Sequence, residues 1–359
     1  MRRNWDNICF QFIIIASLLI QTSVCWAGKN ISSTIITVSR IYCIGAIDNT
    51  YNIQLYVDFD NETDNDSGNI RVTGAYFYDN KKSDGKLRLE GTFNINDGSM
   101  QLSEYEHSDL PGKQKNTGKF IGLYKKEGTA VGNWFSADGK QHTFYLNTVV
   151  RHVNVYNVSK SSIRSATVII FTDKYLRDVY CRNNKMCGKA QNVIEIKIVP
   201  SSAGKSVFNT GEEVIYYSNK LVSIITSKYQ YNAGTPHGQY HSGWKIIAEN
   251  NKSKNRYKYK IINNVSDLIT NTPECRSKIN DLIRKTLENT ADDEHVELDS
   301  DIDFLYEVGN IEIGPIALRF KYDPYSLGRG YIYHPTASIK YEKLINCIPK
   351  ASPLIKMLP

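Results

Sequence analysis

Much of what this sequence lacks concerns chemistry. It contains no G-x-S-x-G, no H-E-x-x-H and no phosphate-binding glycine loop, so the common hydrolase, zinc-protease and nucleotide-binding frameworks have no foothold. No two cysteines are spaced C-x-x-C, which removes the usual zinc frameworks. With neither motif present, no metal and no cofactor is expected. The 44 lysines and arginines are scattered and form no basic stripe, which argues against nucleic acid as a partner. After residue 20 no apolar run approaches the ~20 residues that span a bilayer. Methionine is scarce, at 4 residues.

Tyrosine is what the chain has in abundance, 24 residues alongside 12 phenylalanines. With many Asn, Ser and Thr, that composition favours strands over helices. The N-terminus carries Arg2 and Arg3, an apolar run from Phe12 to Ile20, and Cys25-Trp26-Ala27 ahead of Gly28. A charged region, a short apolar region and a small residue before the break read as a secretory signal peptide over 1–27. The mature protein is then exported, periplasmic or secreted, and not membrane-spanning. Losing Arg2, Arg3 and Asp6 takes the net charge from +7 to +6, a mild attraction toward anionic envelope polymers.

Five cysteines follow the leader: Cys43, Cys181, Cys187, Cys275 and Cys347. Export permits disulfides. Cys181 and Cys187 bracket a short polar loop and form the first expected pair. Cys275 with Cys347 is the second, leaving Cys43 over. Connectivity is not fixed by spacing.

Residues 28–150 read as an all-β domain. The stretches "GAYFY", "KLRLEGTFNI", "SMQLSEYE", "GKFIGLYKK", "TAVGNWFS" and "HTFYLN" alternate with period two. Asp84-Gly85, Asp97-Gly98 and Asp138-Gly139 punctuate them as hairpin turns. An antiparallel β meander or partial barrel is expected. Residues 151–359 continue with strands, "ATVIIF", "NVIEIKIV" and "EVIYYSNKLVSIITSKYQY", and then supply one strong helix. Pro273 stands at its entry and Ile279, Leu282, Ile283 and Leu287 fall at helical spacing. "FLYEV", "IALRFKY", "GYIYH" and "ASIKYEKL" then read as strands. The second domain is thus α+β, an antiparallel sheet with one packed helix.

Candidate chemistry is sparse. Glu104 and Glu106 are two apart on a strand and share a face. A glycan hydrolase could use such a pair, although solvated surface acids are far commoner. His237 and His241, in "YNAGTPHGQYH", are four apart, but Gly234, Pro236 and Gly238 exclude the helix that would make them a metal pair. A hydrogen bond from His237 pinning a tight turn fits better.

Two stretches carry a resemblance. "NKLVSIITSKYQYNAGTPHGQYHSGWKIIA" places a strand ending in L-V-S before a tyrosine, a glycine-rich turn and a histidine. After the helix, Phe320, Tyr322, Pro324, Tyr325 and Gly330 form F-x-Y-x-P-Y followed by a glycine, and Ile339–Leu344 close the segment. Over about residues 150–348 this resembles the domain of unknown function 3298, the outer part of lysozyme-sensing bacterial anti-sigma factors. The resemblance implies an envelope location and a Pro-Tyr turn at the lysozyme-contacting surface. It also makes the six N-x-S/T sequons chance occurrences in an Asn-rich bacterial chain. The chain departs from those sensors by adding a β domain in front and by carrying Thr235-Pro236 in its turn.

Pro324 stiffens its turn at low entropic cost, and tyrosine offers apolar area with a polar tip and few rotors. The expectation is an exported, non-enzymatic envelope-binding protein. Its ligand is a lysozyme or similar muramidase, or alternatively peptidoglycan or another polysaccharide. Pro324 and Tyr325 anchor that ligand, with Tyr322, Tyr331 and His237 in support. Against this stands plain packing, since tyrosines on hairpin strands commonly cover a sheet's core.

Overall fold

The computed structural model describes residues 33–359, except 65–67, 80–85, 107–114, 159–161, 183–204, 219–220, 236–237, 250–258, 291–297, 299–301, 324–325, 328–334 and 359. The signal-peptide stretch, Cys187, and the expected strands "NVIEIKIV" and "GYIYH" lie outside the described residues. The chain divides into two compact units: Met1–Tyr78, Gly85–Thr172 and Lys185–Val207 form the first, and Asp79–Asp84, Asp173–Asn184 and Phe208–Pro359 the second.

The first unit is a β-barrel. Its strands are β1 (Ser33–Ile47), β2 (Tyr51–Asp64), β3 (Asn69–Tyr78), β4 (Leu87–Asn94), β5 (Ser99–Tyr105), β6 (Asn116–Tyr124), β7 (Thr129–Ser136), β8 (Gln141–Val158) and β9 (Ser162–Phe171). From β1 to β9 each pairs antiparallel with the next. The expected meander therefore stands, and it goes further and closes. β1 also pairs with β8, from Ser33 opposite Val158 to Ile47 opposite Phe144, joining the first and eighth strands. Beyond Val150, β8 continues without a break and takes β9 as its neighbour. Gly98 and Gly139 have φ of +77° and +82°, which is why the Asp-Gly turns need glycine there.

Period-two alternation fills the barrel. Ile41, Leu55, Val57, Val72, Leu89, Leu102 and Phe120 are buried. Tyr76, Phe120 and Phe144 meet edge to face, with centroids 5.4 and 5.3 Å apart. A residual space of about 20 Å³, open to the centre of a water molecule, is bounded by side chains such as Ile41, Val57 and Met100. It has room for about one water, but its apolar lining keeps such a space dry. Arg88, Glu90 and Thr92 alternate with the buried Leu89 and Phe93 on β4. An apolar inside with polar outward positions is the reverse of a barrel that faces lipid.

The second unit is layered. Helix α1 (Lys174–Cys181) begins at Asp173, whose carboxylate accepts from the N–H groups of Tyr175 (2.7 Å) and Leu176 (3.0 Å). That is an N-cap. Strands β10 (Ser206–Tyr217), β11 (Leu221–Tyr231), β12 (Gln239–Glu249) and β13 (Tyr259–Ile262) follow in sheet order. Helix α2 (Pro273–Thr290) is the expected one and buries Cys275, Ile279, Ile283 and Leu287, four residues apart. A second sheet holds β14 (Asn310–Ile313), β15 (Ala317–Lys321) and β16 (Thr336–Lys340).

One expected strand and the end of another are helical turns. "FLYEV" forms α3 (Phe304–Glu307), which buries Phe304 beside Tyr322 at a centroid distance of 6.1 Å. Asn280 and Arg276 of α2 hold the entering Asp303, Asn280 at 3.2 Å. Tertiary packing here overrides an alternation too short to decide. Likewise "YEKL" is α4 (Tyr341–Leu344), with the Tyr341 hydroxyl donating to the Gly314 carbonyl at 2.9 Å. The expected Cys275–Cys347 disulfide is present, spanning 72 residues. Cys181 is disulfide-bonded, and Cys43 is a free, buried thiol.

Candidate functional site

The β11–β12 hairpin changes character along its length. At its base Val222, Ile224, Ile246 and Ile247 are fully buried, so both faces are covered. Toward its tip the cover ends. Cross-strand pairing puts Tyr229 opposite Tyr240, Ser227 opposite Ser242 and Ile225 opposite Trp244. Paired residues share a face, so Tyr229, Tyr240, Ser242 and Trp244 line one side. Tyr229 is 38% and Tyr240 41% exposed. The tip itself is a turn in which Thr235 donates through its N–H and hydroxyl to the Asn232 carbonyl, at 3.1 and 2.8 Å.

This same face receives the start of the Pro-Tyr turn. The Asp323 carboxylate accepts from the Ser242 hydroxyl and from the Ser242 N–H, the latter at 3.3 Å. The Asp323 carbonyl accepts from the Ser326 N–H at 3.2 Å and its hydroxyl at 2.8 Å, so both residues flanking Pro324-Tyr325 are fixed to each other. Gly309 lies against Ser242 Oγ and Asp323 Oδ1, where a Cβ would collide. Burial, and then the charges of Asp323 and Glu213, push the Tyr240 phenol above its ordinary pKa; it stays a neutral donor at neutral pH.

Of the residues expected to bind, Tyr322 is described, and it is wholly buried. Its ring packs on Phe304, its hydroxyl has no hydrogen-bond partner among the described residues, and burial followed by the Asp303 charge raises its pKa. A side chain buried in this way belongs to the core. Pro324, Tyr325, Tyr331 and His237 lie outside the described residues. Ser242–Asp323 nonetheless brings the two singled-out stretches together, joining β12 just after the glycine-rich turn to the residue before Pro324. His241 pairs with Lys228 on the other face of the hairpin. Tyr229, Tyr240 and Trp244 are residues that the reading of the sequence missed. Folding "SKYQYNAGTPHGQYHSGW" about its glycine-rich centre would have matched Tyr229 with Tyr240.

The carboxylate pair in the first unit separates. Glu106 is exposed, while Glu104 points into the barrel and is 3% exposed. Glu104 accepts from the Tyr76 hydroxyl (2.6 Å), the Thr117 hydroxyl (2.6 Å) and the Trp134 indole (2.8 Å). Both oxygens are engaged, and the group serves as the hub of a polar island at one end of the barrel.

No protein-family model matches the chain, and no curated protein matches it. Solved structures do, among them two from one family. One is a member of the domain of unknown function 3298 family from Pseudomonas aeruginosa, with 18% identity and a TM-score of 0.36, covering 53% of this chain and 86% of that one. The other is a member of the same family from Bacteroides fragilis, with 13% identity and a TM-score of 0.40, covering 58% of this chain and 96% of that one. Both bear the family name to which the motifs after residue 150 point.

Proposed function

We propose that this is an exported, non-enzymatic binding protein of the cell envelope. Its ligand site is the aromatic face of the β11–β12 hairpin together with the Asp323-Pro324-Tyr325 turn. The observation carrying this reading is the Ser242–Asp323 link, which ties the residue before Pro324 to the hairpin face that bears two half-exposed tyrosines. A pre-organised aromatic surface binds without ordering loops first. Lysozyme or a similar muramidase is the leading ligand, in keeping with the resemblance of the turn motif to lysozyme-sensing domains. Paired, half-exposed tyrosines also suit sugar rings, so peptidoglycan is the second reading.

The test is binding of the chain from Gly28 onward to immobilised lysozymes and, in parallel, to purified peptidoglycan. Capture of lysozyme, weakened by about 2 kcal/mol or more in Tyr240→Ala and Tyr325→Ala as in hot spots, supports the first reading. Peptidoglycan retention with the same sensitivity supports the second. Binding of neither, or binding indifferent to both tyrosines, rejects the site.

A further inference from the structure

Outward positions on most of the barrel are polar, as on β4, yet one wall differs. On β6, Ile121 and Leu123 point outward and are 38% and 49% exposed; on β8, Tyr145 is 46% exposed. Strand pairing makes them neighbours. Leu123 lies opposite Val131 of β7, and Val131 opposite Tyr145 of β8, so the three form one row across the wall. Ile121 follows Leu123 on the same face, and Phe135, opposite Lys119, continues the apolar surface. Single exposed apolar residues need no explanation, but a contiguous exposed row does.

The wall is also cationic. Residues 116–147 carry Lys119, Lys125, Lys126 and Lys140 against two acids, Glu127 and Asp138. Asp138 is paired with Lys140 at 2.7 Å. Glu127 is held below its ordinary carboxyl pKa, by a backbone hydrogen bond first and Lys125 among the lesser causes. Lys119 extends over the Phe135 ring, 5.3 Å from its centroid. Lysines thus stand at both ends of an aliphatic and aromatic band, with Lys119 and Lys126 as its surplus positive charge.

We propose that this wall of β6, β7 and β8 is a docking surface for a bilayer bearing anionic headgroups. Two properties must be matched together. Headgroup phosphates receive the lysines, while Leu123, Ile121 and Tyr145 reach into the region beneath them. A purely polar anionic polymer would match the lysines and leave Ile121 and Leu123 unrewarded. A second copy of the wall would match the apolar row but set lysines against lysines, with no surplus acids to receive them. Only side chains enter, because each of these strands is paired with a neighbour on both sides within the barrel. The chain rests on the membrane without crossing it.

The experiment is co-sedimentation of the chain from Gly28 onward with vesicles of phosphatidylcholine alone or mixed with phosphatidylglycerol. This form keeps both units and removes the apolar run of residues 12–20, which could insert by itself. Binding to the mixed vesicles that falls with added salt is expected. Leu123→Ser with Tyr145→Ser should weaken it about tenfold or more, and Lys119→Ser with Lys126→Ser should flatten its salt dependence. All four positions are on the surface, and an unchanged melting curve certifies the fold of each variant. Absence of binding to either vesicle overturns the proposal. So does vesicle binding that the Leu123 and Tyr145 changes leave intact. Concentration-dependent self-association in ultracentrifugation, abolished by those same changes, would instead assign the wall to a second copy.

Discussion

Each strand from β1 to β8 has a neighbour on both sides, and its interior is filled by one alternating set of side chains. Among its described residues the second unit shows no such closure. It stacks two sheets and several helices and ties them at points: the Cys275–Cys347 disulfide, the Arg276–Asp303 ion pair, and the Lys245–Glu212 pair at 2.5 Å, over the Tyr180 ring. The contrast shows two ways to specify a β-rich fold. A barrel is fixed by register, because slipping one residue turns its whole interior outward. A layered unit leaves edges and tips, and has to be held where its elements cross. The second arrangement is also the one that leaves tyrosines exposed toward a hairpin end.

Each unit holds one tryptophan among the described residues, Trp134 in the barrel and Trp244 on β12, so fluorescence can follow them separately in Trp→Phe backgrounds. The largest expected effect is in the barrel. Phe120→Ala empties a site touching Tyr76 and Phe144 and should cost about 3–5 kcal/mol, read from Trp134 in urea. A similar loss on Cys275→Ser would mean that the barrel depends on the other unit's cross-link. That cross-link closes a long loop, and removing it should lower stability read from Trp244 by roughly 4 kcal/mol.

A pH titration sharpens the comparison next. Burial, followed by the charge of Arg40, holds His152 down to about 3 from its ordinary 6.5. Below that ordinary value the unfolded chain takes up a proton that the folded chain refuses, so stability falls as pH falls. The loss should be on the order of 2 kcal/mol near pH 5 and level off below about pH 3. Melting curves of the His152→Gln variant should lack this slope. Glu104→Gln keeps the shape but turns an amide N–H₂ toward one of three donors, and about 1–3 kcal/mol is expected; a neutral result would show the island to be dispensable. The smallest stability effect belongs to Tyr240→Ala, within about 0.5 kcal/mol, even where ligand binding suffers.

What the sequence made legible follows the same division. Six barrel strands and the Asp-Gly turns at Gly98 and Gly139 were readable because alternation and turn chemistry are local; Asp84-Gly85 lies outside the described residues. Closure was not, because β1 meets β8 across more than a hundred residues and pairing at that range leaves no local mark. In the second unit α2 announced itself by its apolar spacing. α1 went unread although Asp173 stands before it as a cap, and the eight residues after it were too few to show a period. "FLYEV" misled because Phe304, Tyr306 and Val308 alternate, while Tyr306 is in fact 79% exposed. At the candidate site the tyrosines were visible as a crowd, but which were core depended on contacts. Tyr322 and Tyr341 are core; Tyr229 and Tyr240 are surface.

Cys43 gives the barrel's closure a meaning in time. Its thiol lies on β1 beside Thr148 of β8, 3.5 Å from that hydroxyl, and burial raises its pKa to about 11. A thiol in that state is a poor nucleophile for disulfide exchange. β1 is the first strand of the barrel to emerge from synthesis and β8 the last of the eight it closes with, so the thiol stays reactive until the ring has shut. A chain that shuts it before Cys181, Cys275 and Cys347 are oxidised reaches the correct bonds. A chain that lingers open offers a competing sulfur, and the order of assembly becomes the proofreader of its disulfides.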